Sequence, residues 1–192
     1  MEQPAHELLA AWDSFYIIAG SVAGALTGLQ FVVIALIADS KRRATTPEIA
    51  AFGTPTVLHF CAALLLSALM TVPWASLAGI QWALGACGIA GVLYVVLVIR
   101  RARGQHRYRP QMEDWIWHAA LPLVAYLILA AAATILTSRP EPALCLTAAV
   151  TLGLAFIGIH NSWDTITYIA IDSGVEAAEE KKKHHEGKKH HP

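Results

Sequence analysis

His160 and Asp164 stand four residues apart in a tract that carries no Lys, Arg, Asp or Glu from Ala143 to Trp163. At roughly 100° per residue an i, i+4 pair shares one helix face, with Thr167 and Tyr168 on the same side. An imidazole beside a carboxylate can hold and release a proton or a cation. Asn161, His59 and Gln30 are further strongly polar side chains within uncharged tracts. His59, His160, Asn161, Asp164 and Gln30 therefore make up a candidate ion or proton site. An Asp in hydrocarbon costs roughly 3 kcal/mol on insertion scales, so Asp164 must face the bundle interior, water or a partner such as His160. The alternative is that Asp164 sits at headgroup level and buttresses the bundle through hydrogen bonds.

His118 joins His59 and His160 as a third histidine in or near an apolar tract. Neutral imidazole ligates metal ions and haem iron, so a metal or haem site at His59, His118 and His160 is a second reading. No HxxxH, HExxH or CxxC spacing singles it out. His184, His185, His190 and His191 near the C-terminus could collect a transition metal, although the neighbouring lysines repel a dication. Cys61, Cys87 and Cys145 are odd in number and read as small buried hydrophobes rather than a disulfide framework. No phosphate loop, dinucleotide fingerprint, nucleophile elbow or paired carboxylate motif is present, which argues against a soluble-type enzyme. No resident cofactor is required by any motif, and no feature points to nucleic acid.

The elements that would position these residues are long and apolar. Of 192 residues, 56% are hydrophobic and only 15% charged, against roughly 25% charge in a soluble domain. Five tracts stand out, at about 14–38, 54–74, 81–99, 115–137 and 143–164 or 143–171. At about 1.5 Å per residue each can cross a hydrocarbon core of roughly 30 Å. Pro55 and Pro73 lie near the ends of the second tract, where a helix tolerates them, whereas Pro122 in the fourth predicts a kink or broken backbone bonds one turn earlier. The second and third tracts are close enough in sequence to form a tight antiparallel hairpin. The first is too long for the apolar region of a signal peptide and is expected to persist.

Charge orients these tracts. Lys41, Arg42 and Arg43 follow the first; Arg100, Arg101, Arg103, Arg107 and Arg109 follow the third; Lys181, Lys182, Lys183, Lys188 and Lys189 follow the fifth. By the positive-inside rule, five crossings place thirteen of the fourteen cationic residues in the cytoplasm, leaving only Arg139 outside. The expected fold is thus all-α, a polytopic transmembrane bundle with five spans. Residues 1–13 form a short extracytoplasmic N-terminus, and 172–192 a disordered, charged cytoplasmic tail. Trp12, Trp74 and Trp82 fall near outer ends and Trp115 and Trp117 at an inner end, as interfacial belts do. His59, Gln30, His160, Asn161 and Asp164 then all fall in the cytoplasmic half.

Gly20, Gly24 and Gly28 recur every four residues, a spacing that lets a neighbouring helix approach and makes the first tract a packing centre, within one chain or at a homo-oligomer seam. Gly85, Gly88 and Gly91 suggest a second, weaker packing face. The basic loop from Arg100 to Arg109 is explained by orientation and could also hold anionic lipid headgroups. No internal repeat appears. Three functions fit a multi-pass protein of the cell (inner) membrane: a small, oligomeric channel or transporter for an ion or proton; a metal- or haem-binding protein; and an accessory subunit acting by helix packing.

Overall fold

The computed structural model describes residues 5–39, 46–103 and 115–189, with side chains described over 7–35, 56–101 and 115–167. The described residues form helices: α1 (Ala5–Ala10), α2 (Asp13–Asp39), α3 (Thr46–Thr71), α4 (Leu77–Arg103), a π-helical turn (Ile116–Ala120), α5 (Leu121–Ile135) and α6 (Pro140–Lys189). Four stretches, Asp13–Ala35, Leu77–Arg101, Ile116–Ile135 and Pro140–Thr167, are long and apolar enough to cross a membrane; the described apolar part of α3, Thr56–Thr71, is shorter. Large apolar side chains such as Ile18, Leu29, Phe31 and Phe156 stand exposed on these helices. Several such helices in one chain are the mark of a multi-pass membrane protein, in which acyl chains cover that surface.

The helix ends follow from local chemistry. Pro73 has no N–H to give to the carbonyl of Leu69, so α3 stops; the Trp74 indole Nε1–H donates to that carbonyl instead, at 2.7 Å. Gly79 at the start of α4 then fits against the Trp74 ring, where a Cβ would come within 2.8 Å of Cε3. Pro122 likewise deprives the carbonyl one turn earlier of its donor. The backbone answers with the π-helical turn Ile116–Ala120, closed by the Leu121 N–H donating to the Ile116 carbonyl. Pro140 opens α6 at a position where a missing N–H is harmless, with Glu141 in the first turn near the positive end of the helix dipole.

The helices pack in the order α2, α3, α6, α5, α4, with α6 between α3 and α5. Half of the α6 span is buried, against 17% of the α2 span, so the last helix, not the first, is the packing centre. The glycines explain the reversal. A Cβ on Gly20 would stand 2.9 Å from the Ser67 Cβ, but Gly24 meets only Leu64 at ordinary contact distance and Gly28 meets nothing. On α4, by contrast, a Cβ on Gly88 would lie 2.7 Å from the Ala130 backbone nitrogen, and one on Gly91 would run into the Tyr126 ring. These small residues bring α4 onto α5, which is why α4 does not form the expected close hairpin with α3.

Two further expectations are corrected. Cys61 and Cys145 are exposed on the apolar surface rather than buried, and Cys87 is only partly covered. Residues 172–189, expected to be disordered, continue α6 as helix. Their Ala, Glu and Lys content favours helix. Residues 1–4, 40–45, 104–114 and 190–192 lie outside the described residues, and with them Lys41, Arg42, Arg43, Arg107, Arg109, His190 and His191. Arg100 and Arg101, at the end of α4, are exposed.

Candidate functional site

One stripe of α6 faces the interior through Thr147, Thr151, Leu154, Gly158 and Asn161, spaced alternately four and three residues apart and all buried. This spacing is the seam of a coiled coil, and it lets α6 lie between α3 and α5. In the part nearer the α6 N-terminus the two threonine hydroxyls are occupied locally: Thr147 donates to the Ala143 carbonyl and Thr151 to the Thr147 carbonyl, each at 2.8 Å. At Gly158 the Phe60 ring of α3 lies so close that a Cβ would fall 2.6 Å from it. Phe60 thus forms an apolar step between the threonines and Asn161.

Beyond that step the interior turns polar. Asn161 is fully buried, 0% exposed, and neither its carbonyl oxygen nor its amide nitrogen has a hydrogen-bond partner. Thr56, one turn before Phe60 on α3, is also buried. His59, 1% exposed, turns toward α5, where its Nδ1 shares a hydrogen bond of 3.2 Å with the Tyr126 hydroxyl. Tyr126 is itself seated against Gly91, so α4 presses its ring toward His59. His118, half-buried on the π-helical turn, lies within electrostatic reach of His59, and Tyr94 and Cys87 within reach of Tyr126. Gln30 is buried near the end of the described side chains of α2.

His160 and Asp164 sit on the neighbouring face of α6, at the rim of this layer. His160 Nδ1 lies 3.0 Å from Asp164 Oδ2, at ion-pair distance but without the alignment of a hydrogen bond, and their side chains are 27% and 47% exposed. The Trp117 indole, from the π-helical turn, stacks on the imidazole with ring centres 3.6 Å apart and planes 10° from parallel. The local disturbance caused by Pro122 therefore supplies one wall of the His160 environment.

The chain matches no protein-family model, no curated protein and no solved structure. The site must therefore be read from its own geometry. Two of the expected site residues, His160 and Asp164, meet. The one hydrogen bond that His59 shows is to Tyr126, not to either of them. Among the described residues, no three of His, Cys, Asp or Glu gather closely enough to hold a metal ion, and His59 and His160 have different ring partners, Tyr126 and Trp117. Tyr126, Trp117 and Phe60 belong to the site and escaped the sequence reading. A signal for Tyr126 existed: a Tyr inside an apolar helix needs a partner for its hydroxyl. So did the alternate four-and-three spacing of small and polar residues along α6.

Proposed function

We propose that this protein binds and moves an ion or proton at a polar site in the cytoplasmic half of a five-span bundle, with its N-terminus outside and its C-terminus in the cytoplasm of the cell (inner) membrane. The observation that carries this reading is the His160–Asp164 pair, 3.0 Å apart within the last apolar helix and next to the buried Asn161. Polar groups within membrane helices are costly and are kept mainly where substrates or protons pass. The fifth crossing is supported by α3, whose 26 residues reach roughly 39 Å at helical rise. It is also supported by the lone Arg139 among fourteen cationic residues on the outer side.

The test is ion flux into phospholipid vesicles holding the purified full-length chain. Under an imposed gradient, wild-type vesicles should carry flux that Asp164→Asn reduces. Flux no greater than in protein-free vesicles overturns the reading. Topology is tested separately by reporter fusions: a phosphatase fused after Ser138 should be active outside the cytoplasm, and a fluorescent protein fused after Pro192 should light up inside.

A further inference from the structure

This inference rests on the proposed ion or proton site and concerns what holds that site in shape. We propose that Trp117 is a positioning residue for the His160–Asp164 pair, carried onto it by the π-helical turn that Pro122 forces. The pair by itself is a loose clamp. Its side chains are 27% and 47% exposed, and an i, i+4 pair on an open helix face is a weak ionic contact. His160 Nδ1 reaches Asp164 Oδ2 at 3.0 Å without hydrogen-bond alignment, so this contact does not fix the plane of the imidazole. The indole does. With ring centres 3.6 Å apart and planes 10° from parallel, the imidazole cannot turn about its Cβ–Cγ bond toward Trp117. Held in that plane, the ring keeps its Nδ1 edge at the carboxylate, while Asp164 stays open to the rim.

Trp117 reaches His160 because the backbone departs from α geometry. Pro122 offers no donor to the His118 carbonyl, and the Leu121 N–H reaches back five residues to the Ile116 carbonyl. A turn closed in this way holds about one residue more than an α-turn, so the residues ahead of it are rotated by roughly 100° from their α-helical directions. Under α bonding His118, not Trp117, would take the direction in which the indole now points. Turns of this kind give up regular bonding and gather at functional sites. Here the irregular turn gains a contact with α6 at the one place where that helix carries a histidine beside a carboxylate. The electron-rich face of the indole also suits a site that holds positive charge on or beside His160. Trp117 acts through His160 and touches no ion itself.

The experiment uses the full chain, isotope-labelled at histidine, in vesicles of phosphatidylethanolamine and phosphatidylglycerol, with ion flux and NMR spectra measured on the same variants. In the wild type the ring protons of one histidine should lie upfield through the ring current of the indole, and His160→Gln should remove that signal. Trp117→Leu should abolish the upfield shift and cut flux by about tenfold, the upper worth of one aromatic stack. Trp117→Phe keeps a smaller aromatic face, so it should retain part of the shift and lose only about threefold in flux. Pro122→Ala should behave like Trp117→Leu. Combining it with Trp117→His and His118→Trp should bring back both shift and flux, because the indole regains its direction. Equal helical circular dichroism and equal inserted fraction establish that the variants are folded; if Pro122→Ala does not insert, the two Trp117 variants decide. Wild-type flux that Trp117→Leu leaves intact overturns the positioning role and leaves the proposed function standing. An upfield shift that survives Pro122→Ala overturns the part given to the π-helical turn, whereas absence of flux in the wild type removes the proposed function itself.

Discussion

His59 and Tyr126, 67 residues apart in sequence, meet inside the bundle through a hydrogen bond of 3.2 Å. It ties α3 to α5 beside the polar groups that α6 contributes, Asn161, His160 and Asp164. Because both residues are almost wholly buried, neither can exchange its partner for bulk water.

Tyr126→Phe should therefore destabilise the fold by about 1–3 kcal/mol, the usual cost of leaving a buried polar group unpaired. Denaturation in detergent micelles measures it. His59→Leu in the Tyr126→Phe background should cost less than the two single changes added together, because the second removes the orphan left by the first.

Asn161→Leu should do the opposite for stability. Neither amide atom has a partner and the residue is 0% exposed, so an apolar side chain of similar size removes an unmet demand worth about 1–3 kcal/mol. Thermal unfolding should rise while vesicle flux falls. A lowered melting temperature would show that the amide is satisfied.

The glycine seams should separate cleanly. Gly88→Ala drives a methyl group toward the Ala130 backbone, which cannot swing aside as a side chain can, and should cost about 1–3 kcal/mol through overpacking. Gly28→Ala and Gly153→Ala meet open space and should leave stability unchanged or raise it by up to about 1 kcal/mol through helix propensity. Equal effects at Gly88 and Gly28 would contradict the observed pairing of α4 with α5.

Gly158→Ala should be destabilising for a reason that a second substitution can relieve. The added methyl group meets the Phe60 ring, and Phe60→Leu makes room for it. A double-mutant cycle should show coupling of about 0.5–3 kcal/mol between the two positions. Additive effects would mean that Phe60 does not form the step between Thr151 and Asn161.

Much of the architecture was written in the order of residues. The charge-free runs gave α2 almost to the residue, Ser14–Ala38 against Asp13–Asp39, because hydrocarbon length and helical rise leave little freedom. Pro122 announced a backbone break, whereas Pro73, read as tolerated near the end of a tract reaching Trp74, instead ends α3 at Thr71. The i, i+4 spacing of His160 and Asp164 was enough to place them in contact, since neighbours on one helix face need no tertiary structure to meet.

What lay beyond the sequence was which helices become neighbours. Glycine spacing offered α2 as the stronger and α4 as the weaker close-packing helix, but only the shape of the opposing helix decides whether a groove is filled. Ala130 and Tyr126 fill the one on α4, while Gly28 faces open space. For the same reason His59 was assigned to His160 and Asp164, although its partner is Tyr126. Contacts within a helix are fixed by its period, whereas contacts between helices depend on rotation, tilt and order of packing, which side chains from several helices settle together.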